Sequence, residues 1–263
     1  MTQFRHPTPA PQFAGFALFA DSSPTLDAAR AALEEEFGDA ITATEVPVGS
    51  ETLPALVLDA AATQVLVAPV GAPVPDEVAL NACHPVWWSD PAPVAGHRSH
   101  VVVTTLRAEG QEPDHDLLLA EAVTLSTVAA LLLELPGALG FYYGNAGITF
   151  PAAPYVQLIR ESLEHGQLPT DAWISTWLAR GEDDRVGGCT LGLASFGHAD
   201  LLVEDSVRPA SEVYQLLHGL AGQLLASGYQ LMPGATVGPA EDEQHPVTVR
   251  DGGDAGVLLE VRF

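Results

Sequence analysis

The chain has 263 residues, with thirty-four acidic residues against ten arginines and no lysine, for a formal charge of −24. That balance excludes the basic stripe a nucleic-acid surface needs, and an anionic lipid surface would repel the chain. Without lysine there is no Schiff-base nucleophile and no phosphate-loop lysine, which removes pyridoxal and P-loop chemistry. Neutral or cationic partners remain. The composition is also that of a GC-rich coding sequence, and genomic bias with ordinary solubility is the simpler account of the acidity.

Residues 1–12 are polar and proline-rich, lack the apolar stretch of a signal peptide, and are expected to form a flexible N-terminal arm in a cytoplasmic protein. Gly15–Ala20 reads as a buried strand, followed by a helix with Ser23 as N-cap and Pro24 at its first position. Leu26, Ala29, Leu33 and Phe37 give that helix its apolar stripe, and Gly38 ends it. Strands are predicted at Ile41–Val48, Leu53–Asp59, Gln64–Pro69 and His100–Leu106, with a short helix over Pro75–Cys83. Leu117–Leu135 is apolar and just long enough to span a membrane. Glu121 and Glu134 interrupt it, however, and Pro136-Gly137 stops it, which fits a buried helix better.

A strand at Leu139–Tyr143 and a helix near Tyr155–His165 follow, then two or three strands between Ala172 and Glu204. Pro209–Ser227 is an amphipathic helix with Val213, Leu216, Leu217, Leu220 and Leu224 on one face and Gly228 as its stop. An acidic loop at Glu241–Glu243 precedes closing strands near Val247–Arg250 and Val257–Phe263. Connections too short for crossover helices predict an α+β fold of antiparallel or mixed sheets with helices on one face. Two ferredoxin-like halves meeting near Glu109–Glu112 are one such arrangement, giving units 13–109 and 110–263. A faint repeat supports it: GFALFAD and ADLLVED each lead through serine and proline into a glycine-stopped helix.

Pro169, Trp173, Thr190-Leu191-Gly192-Leu193, Phe196-Gly197, Asp200, Pro209 and Gly234-Ala235-Thr236-Val237-Gly238 form a pattern over residues 169–238. In this pattern the chain resembles an uncharacterised bacterial family, the domain of unknown function numbered 4261. It departs from that family at Leu191, where lysine is usual, at Asp200, where glutamate is usual, and at Pro233 and Ala235. The resemblance implies a fold and no activity.

Three constellations can carry chemistry. His97-x-x-His100 has the residues of a metal pair, but His100 opens a strand, where an odd offset sends side chains to opposite faces. Trp87-Trp88, among prolines, suits an aromatic platform for a neutral or cationic ligand or a partner protein, or else a loop pinned to the core. Asp200 and Glu204 alternate with apolar residues, as an acidic pair or as one solvated face. Cys83 and Cys189 have no metal-ligand spacing and are expected to be free thiols. No nucleophile elbow, dinucleotide fingerprint or zinc-protease motif is present.

These features predict a cytoplasmic binding or protein-interaction module without cofactor or catalytic residues, of an immunity or stress-associated kind. Its candidate site is Trp87, Trp88, His97 and His100, and unprotected sheet edges predict a homodimer. The alternative is a metal-dependent hydrolase using His97, His100 and a carboxylate, Asp200 or Glu204.

Overall fold

Val101, Val102, Val103, Thr104 and Thr105 give β5 (Ser99–Leu106) an unbroken β-branched run, and it occupies the middle of a seven-stranded sheet. The computed structural model describes residues 4–48, 51–60, 63–108, 110–240, 243–253 and 256–263. The chain divides into a larger unit, Pro11–Ala172, and a smaller one made of residues 4–10 with Trp173–Phe263.

The larger unit contains β1 (Ala14–Phe19), α1 (Leu26–Phe37), β2 (Ile41–Val48), β3 (Glu51–Ala60) and β4 (Thr63–Val70). After these come the single turns α2 (Val78–Asn81) and α3 (Ala92–Ala95), then β5, α4 (His115–Leu132), β6 (Ala138–Tyr143), β7 (Ile148–Pro151) and α5 (Ala152–Glu164). The sheet order is β2-β3-β4-β5-β1-β6-β7, with every pair of neighbours antiparallel. Strand alternation separates its two faces. Ala17, opposite Val101 and Phe141, lies on the face covered by α1, α4 and α5, where the Phe141 ring sits 5.0 Å from Tyr155 of α5. Phe16, Leu18 and Tyr142 lie on the other face, under Val74, Ala79 and Val94 of the segment that carries α2 and α3. The long helices thus lie on one face as predicted, and a short irregular segment covers the middle of the other.

Asp114 caps α4 by accepting the Leu117 N–H at 2.9 Å. The helix is long and apolar enough to cross a membrane, yet half of it is buried in the unit. Its one buried charge, Glu121 at 1 % exposure, takes the Arg107 guanidinium in a two-pronged pair, with Nε donating to Oε1 at 2.8 Å. This ties the end of β5 to the helix laid across it.

The smaller unit follows α6 (Thr170–Trp173) with β8 (Ser175–Arg180), β9 (Val186–Leu191), β10 (Asp200–Ser206), α7 (Ala210–Ser227), β11 (Thr236–Ala240), β12 (Glu243–Asp251) and β13 (Val257–Val261). Its sheet order is β11-β12-β13-β10-β9-β8, mixed because β10 and β13 are parallel. α7 packs on β8, β9 and β10, and Gly228 ends it in the left-handed region, its N–H donating to the Leu224 carbonyl.

Several expectations need correction. The boundary falls at Ala172/Trp173 and not near 110, because β5 and β6 both pair with β1 in one sheet on which α4 packs; residue 109 lies outside the described residues. Residues 4–10 are no free arm: the Ala10 N–H donates to the Ser195 carbonyl and the Ala199 N–H to His6 Nδ1. Neither sheet has the four-strand order of a ferredoxin-like half, and the repeated strand–helix punctuation occurs in different surroundings. Thr25, which accepts the Ala28 N–H, caps α1 in place of Ser23. Part of the acidic loop, 241–242, lies outside the described residues.

Truncating Glu121 to alanine takes the carboxylate away from a largely buried guanidinium and should cost the larger unit about 3–5 kcal/mol in urea unfolding. Replacing both partners with apolar residues, Arg107→Met with Glu121→Leu, should recover most of that loss, because no buried charge then lacks its counterion.

Candidate functional site

The first candidate site is the segment over the second face of the larger sheet. Val74 N–H donates to His97 Nε2 at 2.9 Å, which places the ring proton on Nδ1, and Nδ1 donates to the Val94 carbonyl at 2.6 Å. His100 Nδ1 donates to the Ala72 carbonyl at 2.7 Å, and its ring meets Phe16 edge-on at 5.3 Å. The two histidines therefore do converge, on the 72–74 turn. Both nitrogens of His97 are committed to backbone, which leaves it no lone pair for a metal. Burial lowers the His100 pKa, the Ala72 carbonyl opposes that shift, and the neighbouring His97 adds to it.

The tryptophans are half-buried. Trp88 packs on the Leu18, Val74, Ala79 and Val94 cluster, and its indole N–H donates to the Thr149 carbonyl at 2.7 Å. Thr149, fully buried on β7, also donates its N–H to Ala82 O at 2.8 Å and its hydroxyl to Ala79 O at 2.6 Å. Gly140 makes room for this arrangement: a Cβ there would lie 2.2 Å from the Phe150 carbonyl and 3.3 Å from the Trp88 ring. Trp87 leans on Phe150 with ring centroids 5.1 Å apart, and the adjacent Val86 is 63 % exposed. The four predicted residues come together as fastenings of a cover over the sheet. Thr149, which joins β7 to the cover at three points, was not singled out from the sequence; only its place beside a short strand could have marked it.

The second candidate, Asp200 with Glu204, is not a pair. Asp200 is buried at 7 % exposure, whereas Glu204 lies in solvent and pairs with Arg250 of β12. Thr190 Oγ1 donates to Asp200 Oδ1 at 3.0 Å and the Leu193 N–H to the same oxygen at 3.1 Å, with the Gly192 and Ala194 amides adding to them. Thr190 Oγ1 in turn accepts the Leu201 N–H at 2.8 Å. Burial pushes the Asp200 pKa up to about 6 against the pull of these donors. Nearby, Trp173 is fully buried with its ring 5.6 Å from Phe196. Much of the motif behind the family resemblance, Trp173, Thr190, Gly192, Leu193, Phe196 and Asp200, thus builds a buried knot at the heart of the smaller unit.

The third site was not predicted. Cavities of about 350 and 340 Å³ share Leu220, Gln223 and Gly238 and so form one trough between α7 and β11. Glu212, Gln215, Leu216, Gly219, Leu220 and Gln223 lie three or four residues apart along one stripe of α7 and make one wall. Leu216 and Leu220, expected in the core face, are only half-buried and border the trough, whereas Val213, Leu217, Ala221 and Leu224 pack inward. Gly219 is exposed, with open space where a side chain would stand. At one mouth Glu212 and Glu243 share Arg208, whose guanidinium lies 5.4 Å from the Phe263 ring centroid.

Among the described residues no group of three histidine, cysteine, aspartate or glutamate side chains is placed to hold a metal. Cys83 and Cys189 are free thiols, and burial raises the pKa of both. No protein-family model matches the chain, nor does any curated protein or solved structure.

Asp200 gives the smaller unit a pH dependence of definite sign. Its folded pKa of about 6 lies above the ordinary aspartate value, so it favours the folded state below about pH 4 and loses that contribution as the pH rises through 6. Two pKa units correspond to ~3 kcal/mol. Asp200→Asn, whose amide nitrogen accepts nothing, should lower stability overall and remove this slope. Urea midpoints at pH 4.5, 5.5 and 6.5, compared between wild type and variant, check it; the difference also removes His6, whose pKa burial lowers and which titrates with the opposite sign.

Proposed function

We propose that the protein is a non-catalytic interaction module that binds an extended polypeptide segment of a partner protein in the trough between α7 and β11. Membership in the uncharacterised bacterial family belongs to the same proposal. The observation that carries the reading is Gly219: a glycine inside an exposed helix weakens the helix by roughly 1 kcal/mol relative to alanine, and here it keeps the trough open.

The dimensions and chemistry support a peptide. From Glu212 to Ser227 the helix runs ~22 Å, the length of about six or seven extended residues. Leu216, Leu220 and Val237 give the lining its apolar part, and Gln215, Gln223 and Gln244 add side-chain amides. Two carboxylates sharing one arginine leave a net negative charge at one mouth. The smaller unit as a whole carries thirteen acidic residues against six arginines. A segment with a lysine or arginine at one end and apolar residues after it fits that field. The histidines, by contrast, are committed to holding backbone.

Panning a display library of random heptapeptides over the protein tests the reading. The expected result is enrichment of peptides with a basic residue near one end and apolar residues along the rest. Gly219→Phe should abolish binding of the recovered peptides at least tenfold while raising the melting temperature, since phenylalanine fills the trough and is the better helix former. No enrichment, or equal binding by the filled variant, overturns the proposal. So does light scattering at twice 27.6 kDa that returns to the monomer mass in Gly219→Phe, because a second copy would then occupy the trough.

A further inference from the structure

We infer that residues 4–10 form a strap on the smaller unit, latched while the His6 ring is neutral and released when it takes up a proton. The inference is independent of what the trough holds. Residues 4–10 belong to no helix or strand, and two of them, Pro7 and Pro9, have no N–H to donate. The strap therefore has few backbone groups with which to hold on, and the anchors near its two ends carry weight. The Ala10 N–H donates to the Ser195 carbonyl at 3.3 Å, and His6 Nδ1 accepts the Ala199 N–H at 3.3 Å. Between them the chain passes over Gly197, where a Cβ would stand 3.1 Å from Pro9 Cγ and 3.9 Å from the Pro7 carbonyl.

Because Nδ1 accepts, the single proton of the neutral ring is on Nε2. That nitrogen is buried and looks toward the Leu231 backbone without closing a full hydrogen bond. A second proton goes to Nδ1, whose lone pair already serves the Ala199 N–H. Two donors then face each other, and the latch is lost. Among the described residues no carboxylate pairs with His6 to meet the new charge. Its ring neighbours are Phe4, at 4.9 Å, and the buried His198, at 6.3 Å. Arg5 beside it is exposed and of the same sign. Asp200, one residue on from Ala199, turns its carboxyl to Thr190 and the 192–194 amides. The 228–235 stretch that contains Leu231 has no charged side chain, and its Tyr229 is exposed. Burial accordingly lowers the His6 pKa, with the Leu231 backbone opposing. A histidine whose docked pKa lies below its free value binds its proton preferentially when released. The latch is thus at full strength above about pH 6.5 and weakens as the pH falls below it.

Amide hydrogen exchange of the intact chain, followed residue by residue by NMR and divided at each pH by the rate of a free amide, tests the latch. From pH 7.5 to 5.0 the protection of the Ala199 and Ala10 amides should fall together, over the range in which the His6 ring itself titrates. The expected fall is roughly five- to thirtyfold, the upper figure being the linkage limit for a histidine that titrates near 6.5 when free. The Leu201 amide, bound to Thr190 in the same unit, is the control and should keep its protection, since Asp200 titrates with the opposite sign. His6→Asn, whose Oδ1 accepts an N–H and takes up no proton, should hold the strap at every pH. Constant protection of Ala199 while the His6 ring titrates overturns the inference, as does a fall that includes Leu201 or persists in His6→Asn. Loss of Ala199 protection at every pH in His6→Asn would support His6 as the anchor, and the wild-type titration then decides the pH response.

Discussion

An ionised carboxylate at Asp200 has lost nearly all of its water, so hydrogen-bond donors must meet its charge, and the backbone from Thr190 to Ala194 bends to supply them. The bend ends β9, starts the turn that carries Phe196, and returns the chain as β10. Trp173 packs on Phe196, and β10 receives β9 on one side and β13 on the other. α7 lies across β8–β10, which aims its glycine-bearing stripe at β11. The donors do not fully offset burial, which is why the carboxyl titrates near 6 and not near 4.

In the larger unit, polar side chains do comparable work at the surface of the sheet. His97, His100 and Thr149 each hold a backbone group of the segment over β5, β1, β6 and β7, and Trp88 of that segment donates in turn to the Thr149 carbonyl on β7. An irregular segment has no ladder of its own, so its carbonyls and amides must find partners among side chains. Residues whose chemistry suggests catalysis are here the ones with enough reach and suitable donors to fasten it. Val86 and the prolines around it remain at the surface.

Much of the fold was legible wherever one local signal dominated. The β-branched run marked β5, Asp114 and the apolar stretch marked α4, and Gly228 marked the end of α7. β7 escaped because four residues after a turn carry little pattern, and β11 because its Gly238-Pro239 pair reads as a loop. The division between units was misplaced because a polar stretch near residue 110 resembles a linker, while only sheet pairing shows that β5 and β6 flank β1. As for the sites, sequence found the histidines and tryptophans but not what they hold, since backbone partners leave no mark in composition. The trough lay in one letter: Gly219 interrupts an otherwise good helix, and the leucines beside it had been assigned inward.

The smaller unit is discontinuous, and that bears on how the protein is made. Residues 4–10, which contribute His6 against Ala199, leave the ribosome before the larger unit, and Trp173–Phe263 leaves after it. At synthesis rates of roughly 5–20 residues per second, the early segment waits on the order of ten seconds or more for its partners. The larger unit is continuous in sequence, whereas the smaller one is completed by a segment made before it. The trough along α7 is therefore complete only after Trp173–Phe263 has emerged.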